Sequence, residues 1–256
     1  MPEKFSKIRV WLLHNKLCLH VAKTVFIVFG SKPRLHKKEL SSISLGGQLF
    51  PAKPSVTYLG CCLDSNLYWG SMASKVMSKV NGRSRFLARK APFLDAVSLR
   101  LLANSLVLCC FDYGLGTWYD CLSKALKDKL QVSQNRLVRV VLGLASRDHV
   151  GKLQFQQLGW PPLEARAVQL QLRVVHNVCN QKSLAYLKNH FIKTRDAHAY
   201  HTRASNAHLY LPKFKTNIGK CTLKYSSPIK TRSLISMNRI YLNNDMGIFC
   251  MVKSLA

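Results

Sequence analysis

Two stretches, WLLHNKLCLHVAKTVFIVF at residues 11–29 and VTYLGCCLD at residues 56–64, decide how the first third of this chain reads. The first begins as an amphipathic segment and turns into an apolar strand. Residues 23–29 are rich in Thr, Val, Ile and Phe and stop at Gly30, a strand signal followed by a turn. Residues 31–38 make a polar, proline-containing loop. SISL (42–45) and QLF (48–50) flank Gly46 and Gly47, a hairpin-type connection. Pro51 and Pro54 then interrupt the chain before the second β-rich run, 56–63. The pattern predicts a small cluster of strands and hairpins and not a complete sheet domain.

From Asn66 onward the period changes. Trp69, Met72, Val76 and Val80 follow helical spacing, with Lys75, Lys79, Arg83, Arg85, Arg89 and Lys90 between and beyond them. Asp95 is placed to cap a second helix running to about Phe111. Ser123 is placed to cap a third, ending at Gly143, whose apolar stripe is Leu126, Leu130, Leu137 and Val141. Trp160, Pro161 and Pro162 punctuate. A fourth helix, from Leu163 to about Val178, begins with Glu164 in its first turn, where negative charge suits the helix dipole. After Asn180 the periodicity fades into a basic region rich in His, Tyr and Asn. A short helix, loops and a few strands are expected there.

The chain has 256 residues, with 39 Lys and Arg against 11 Asp and Glu, a formal charge of +28. Such an excess repels itself unless an anionic partner offsets it, and nucleic acid is the commonest polyanion. The cations run along the whole chain, which suits an extended surface tracking a phosphate backbone better than a single localisation signal. Nine cysteines occur with no Cys-x-x-Cys pair, so neither a zinc ribbon nor a thioredoxin-like site is supported. Without a signal-peptide pattern, and with apolar runs such as LVLCCF (106–111) too short for a bilayer, the expectation is a reduced intracellular protein, nuclear or cytoplasmic, neither secreted nor membrane-spanning.

Three sets of residues carry a specific signal. The segment Asn15-Lys16-Leu17-Cys18-Leu19-His20-Val21-Ala22-Lys23-Thr24 places a lysine where an amphipathic segment becomes a strand. Tyr58-Leu59-Gly60, Asp64 and Leu67-Tyr68-Trp69 form Y-L-G-x-x-x-D-x-x-L-x-W. Phe111-Asp112-Tyr113, Trp118 and the run SQNRLVRVVLG (133–143) give F-D-Y-x-x-x-x-W and Q-N-R-x-x-R-x-x-x-G. Together, in this order, they resemble the end of the palm, the thumb and the downstream region of reverse transcriptases from non-LTR, LINE-type (jockey-like) retrotransposons. Further on, His201-Thr202-Arg203, Leu211-Pro212, residues 216–220 and Tyr225 resemble the C-terminal region of the same elements.

The resemblance implies RNA-directed DNA synthesis in an intact enzyme, with Mg²⁺ and dNTPs. It makes Lys23 the lysine of the palm's motif D, a general acid toward the leaving pyrophosphate; the family carries Asn where this chain has His20. It makes Tyr58, Leu59, Gly60, Asp64 and Trp69 the primer grip, with Gly60 allowing close backbone approach. A buried strand with a bulge at Gly60 is the plainer reading and is compatible with it. Lys75, Lys79, Arg136 and Arg139 are the expected contacts to template and primer phosphates. For Arg136 and Arg139, a solvated helix face is the equal alternative. In the family the metal-binding aspartates precede the Trp11 segment, so this chain is expected to lack them.

Asp112 in FDYG is not one of them. The polymerase motif is aromatic-x-Asp-Asp, whose carboxylates help hold two Mg²⁺ ions, and no Asp-Asp pair occurs in the sequence. Asp112 reads as a helix-end or turn residue. His190, His198, His201 and His208 lack companion ligands at metal spacing. Tyr68, Trp69, Trp118 and Trp160 suit base stacking in principle, yet lone aromatics at helical spacing are more often core.

The sequence therefore predicts an α+β chain: a palm-edge strand and hairpin cluster (1–64), a mainly α-helical, thumb-like region (65–180), and a loop-rich basic C-terminal region (181–256). The function expected is a polymerase fragment that grips RNA template and DNA primer, with no cofactor of its own and no membrane. The rival is a non-enzymatic basic RNA- or DNA-binding protein, a domesticated remnant or an unrelated factor. A decayed gene product with no stable fold is the third reading.

Overall fold

The computed structural model describes residues 2–17, 20, 23–31, 33, 35, 42–45, 48–180, 182, 185–197 and 208–236, and within them the chain is α+β. It divides into two compact units, Met1–Met72 and Ala73–Ala256. The Gly46–Gly47 turn, most of the 31–38 loop, His198, residues 201–203 and residues 237–256 lie outside the described residues.

The first unit opens with helix α1 (Pro2–His14), where the sequence predicts strands and turns. Pro2 occupies the first position, where a helix has no use for the N–H that proline lacks. The helix stops as Lys16 turns left-handed at φ 55 and the Asn15 side chain donates to the Trp11 carbonyl at 2.8 Å. Two antiparallel hairpins follow. Strands β1 (Ser42–Leu45) and β2 (Gln48–Pro51) pair as the expected hairpin, with Leu45 opposite Gln48. Strands β3 (Ser55–Tyr58) and β4 (Cys61–Asp64) pair with Tyr58 opposite Cys61.

Residues 23–29 are not a strand. Their composition fits a pleated surface, but a strand exists only with a hydrogen-bonding partner. One bridge forms, Phe26 to Ala52, together with the Lys53 N–H donating to the Phe26 carbonyl at 2.8 Å. Nor is Gly60 a bulge in a buried strand. Leu59 (φ 46) and Gly60 (φ 82) are the two central residues of a tight turn between β3 and β4, both at positive φ as a type I′ hairpin turn demands.

The second unit is helical and begins inside the helix whose first three residues close the first. Helix α2 (Gly70–Lys90) buries Met72, Ala73, Val76, Val80, Ser84 and Leu87, the stripe its period predicts. Asp95 caps the next helix as expected, its carboxylate accepting from the N–H groups of Val97 and Ser98 at 3.1 Å. That helix runs as α3 (Ala96–Leu102), a π-helical segment (Ala103–Leu108) and α4 (Cys109–Asp112). Its buried residues Leu99, Ala103, Val107 and Phe111 recur every fourth position. An α-helix turns about 40° too far in four residues, so three such steps would swing Phe111 off the core face. The wider π winding takes up that excess.

After α4 comes the one-turn helix α5 (Leu115–Trp118), entered through Gly114 at φ 67, then α6 (Lys124–Leu142), α7 (Lys152–Leu158) and α8 (Leu163–Cys179). Ser123 holds the cap position of α6 without a side-chain cap bond, and Gly143 ends that helix at φ 66. Phe111, Leu115, Trp118, Leu130, Leu137, Leu163 and Leu172 form the centre of the core. Truncating Trp118 to alanine costs about 3–5 kcal/mol on the usual large-to-small scale.

The C-terminal region is less loop-rich than its sequence suggests. The one-turn helices α9 (Ala185–Lys188), α10 (Thr194–Ala197) and α11 (Asn217–Lys220) precede α12 (Leu223–Ser236), which packs against α8. Helix α12 escapes a periodicity reading because its buried face is polar, Ser226, Ser227 and Thr231, and because Pro228 lies inside it. Among the described residues the expected strands there reduce to a single bridge, Lys193 to Leu209.

Candidate nucleic-acid interface

The sequence-predicted residues fall on two turns, one hairpin tip and two helices, spread over both units. In the first unit, Tyr58, Leu59 and Gly60 are the tip of the β3–β4 hairpin. Tyr58 and Leu59 are both exposed, Leu59 to 74%. Lys23 is exposed too, in a single turn where its own N–H and that of Thr24 both reach the His20 carbonyl. Asp64 and Trp69 belong to the turn that leads into α2. The Asp64 carboxylate accepts from the backbone N–H groups of Tyr68 (3.2 Å) and Trp69 (3.1 Å), and it holds Leu67 (φ 54) and Trp69 (φ 59) in the left-handed region. The D-x-x-L-x-W spacing is thus the footprint of a side chain bridging to the backbone four and five residues on. Non-glycine residues in this region carry strain and persist where surrounding bonds over-determine them.

Helix α2 carries the strongest electrostatic feature. Its sequence, GSMASKVMSKVNGRSRFLARK, holds Lys75, Lys79, Arg83, Arg85, Arg89 and Lys90 and no acidic residue. All six are exposed. At about 100° per residue, Lys75, Lys79, Arg83, Phe86 and Lys90 share a sector of about 80°, and Arg85 and Arg89 flank it. Arg83, which the sequence does not single out, is pinned. Its guanidinium donates to the Leu106 carbonyl at 2.5 Å and to the Cys110 sulfur at 3.0 Å, tying α2 to the π-helical segment. Burial pushes the Cys110 thiol up, the neighbouring Cys109 adds to this and Arg83 opposes it.

On α6, Arg136 is exposed while Arg139 donates to the Asp148 carbonyl at 2.9 Å, clamping the loop after the helix. The rest of the Q-N-R segment is glue. The Gln134 amide donates to the Pro161 carbonyl at 2.9 Å, and Gln131 donates to Gln134 and Asn135 while accepting from the Leu163 N–H. The F-D-Y-x-x-x-x-W spacing also has a structural content. Asp112 ends α4 in a two-pronged pair with Arg166 of α8 at 2.7 and 2.8 Å, and the Tyr113 carbonyl accepts from the Trp118 indole at 3.2 Å. Trp118 and Trp160 are buried, so neither offers a face to a base.

Most described carboxylates have such internal work. Asp64 and Asp95 serve backbone N–H groups and Asp112 serves Arg166. Asp120 binds Lys230 (2.6 Å) and Gln171 (2.8 Å), Asp148 binds the Ala145 N–H (2.7 Å), and Asp196 binds Arg195 (3.1 Å). Negative charge is largely taken up within the fold, and most of the described cations are exposed. The same donor set does not fit a two-Mg²⁺ polymerase centre. Among the described residues no three His, Cys, Asp or Glu side chains converge, and six of the aspartates are committed one by one to separate tasks.

One stretch, residues 96–121, is apolar and long enough by composition to cross a bilayer. It is interrupted at Tyr113–Gly114, where the backbone turns left-handed, and Asp112 within it pairs with Arg166. The described residues thus hold no clear membrane-spanning helix. Comparison with models of known families, with characterised proteins and with solved structures finds no match for this chain.

Proposed function

We propose that this chain is the template–primer-gripping portion of a LINE-type reverse transcriptase, binding nucleic acid through its backbone and performing no chemistry by itself. Helix α2 carries the reading: six exposed cations and no carboxylate, five of the cations beyond the one that ties the helix to its neighbour, on the flank of a buried stripe. Such a helix attracts phosphates without reading bases, because point charges on flexible stems carry no donor–acceptor pattern. In this reading Lys23 is the motif D lysine, and the exposed Tyr58–Leu59 tip supports the primer strand.

The test is fluorescence anisotropy with a primed RNA·DNA hybrid, duplex DNA and single-stranded RNA. Binding is expected to be tight at low salt and strongest for the hybrid. Replacing Lys79, Arg85 and Arg89 together by Gln should weaken it by about tenfold or more, since each cation removed leaves one phosphate un-neutralised and its counterions in place. Equal affinity for all three nucleic acids would reject the polymerase-derived reading in favour of a general RNA- or DNA-binding protein. No binding to any of them would reject both. Purified chain should incorporate no dNTP on a primed RNA template.

A further inference from the structure

The second unit has a concave surface that the cationic helix does not explain. Two cavities of about 280 and 380 Å³ lie along α3, and Arg100, Asn104 and Leu158 are common to their walls. The larger is apolar, lined by Val97, Leu101, Val141 and Leu142. The smaller is mixed, with Asn104, Asp112 and Arg166 set beside Phe111, Leu163 and Trp160. From these we infer a docking trough for an acidic, apolar peptide segment of a partner protein. Its apolar side chains would enter the larger cavity and its carboxylate would face Arg100 and Asn104.

Asp112 is the one acid in either lining, and both its oxygens are held by Arg166 at 2.7 and 2.8 Å. The Asn104 carbonyl oxygen accepts from the Trp160 indole at 2.8 Å, which leaves the NH₂ end of that amide as donor. Arg100 is exposed between the two halves. The trough therefore offers donors and positive charge with no uncommitted anion. A carboxylate presented there gains charge-assisted hydrogen bonds.

Size points to a peptide over a small ligand. Phe93, Val97 and Leu101, four residues apart along the chain, are 81%, 77% and 66% exposed. Val97 and Leu101 carry the apolar surface of the larger cavity onto the open face of α3, and Phe93 stands in the turn just before that helix. Contiguous exposed apolar surface of this kind marks a protein interaction site, and apolar anchors at every third or fourth position are how a helix fills such a groove.

The probe is a fluorescein-labelled amphipathic peptide with Leu at every third or fourth position and Glu between, compared with the same peptide carrying Lys for Glu. The acidic peptide should bind, and the basic one should not. Arg100→Gln and Leu101→Asp alter exposed side chains, so both variants should fold, as cooperative unfolding would verify. Each should weaken binding about tenfold, the scale of removing one charge-assisted bond or one buried apolar side chain. Lys188→Gln removes one exposed cation elsewhere and should leave binding within about twofold. An equal effect of Lys188→Gln, or equal binding of both peptides, would overturn the trough. Competition by single-stranded RNA would reassign it to nucleic acid. Self-association of the chain, abolished by Leu101→Asp, would reassign it to a second copy.

Discussion

At residue scale, Leu59 is where chemistry and conformation disagree most. A two-residue hairpin turn with both φ values positive favours Asn-Gly, and this chain has Leu-Gly with the leucine exposed. A branched apolar side chain in the left-handed region costs about 1 kcal/mol, and burial does not repay it here. Leu59→Asn should therefore stabilise the hairpin by about 0.5–1 kcal/mol while weakening hybrid binding, if the tip touches the primer. Stabilisation with unchanged binding would remove Leu59 from the proposed grip. The sequence shows Tyr58-Leu59-Gly60 as a signature but hides its geometry, because Gly60 reads equally as a bulge. It also hides what Asp64 does. A carboxylate serving backbone N–H groups four and five residues ahead leaves no periodic trace, only the spacing itself.

Among elements, α2 is legible in the sequence and α12 is not, for opposite reasons. Met72, Val76 and Val80 repeat at helical spacing on α2, whereas α12 turns Ser226, Ser227 and Thr231 inward. What ties α12 down is a polar knot. The Lys230 ammonium donates to Asp120 at 2.6 Å and to the Gln171 carbonyl oxygen at 2.7 Å, and the Gln171 NH₂ donates to Asp120 and to the Gly116 carbonyl. No local pattern reveals a bond spanning 110 residues. Burial raises the Asp120 carboxyl, but the bonds from Lys230 and Gln171 together outweigh it and hold it below the usual range. A depressed carboxyl favours folding where it is ionised. That contribution is present above the unfolded value of about 4 and is lost as pH falls through the folded one. Urea midpoints should thus fall on acidification below about pH 4. Asp120→Asn, which strands the Lys230 charge, should cost about 3 kcal/mol at neutral pH and show a flatter acid response. Parallel acid profiles for the two proteins would place the acid sensitivity elsewhere.

For the whole molecule, charge is spread along the chain and the core is not. If about five cations of α2 meet phosphates, log affinity against log salt should fall with a slope of about −4 to −5. A slope near −1 would mean that few of them touch nucleic acid. Among described residues of the first unit only Phe50 and Met72 are buried apolar side chains, whereas the second unit holds the rest of the core. Limited proteolysis should cut the first unit well before the second, because local opening costs least where little apolar surface is buried. Simultaneous cleavage of both would contradict this. The π-helical segment has a consequence for sequence change. Its strict four-residue spacing, Leu99-Ala103-Val107-Phe111, becomes 4-3-4 when one residue between Ala103 and Val107 is removed, the ordinary rhythm of an α-helix. Deleting Ser105 should therefore leave Phe111 in the core and Asp112 on Arg166, and the chain should still fold. The same deletion at Ser133, inside the uniform α6, turns everything beyond it by about 100° and should not be tolerated. This helix carries, in effect, one spare residue, and Arg83 holds the place where it is stored.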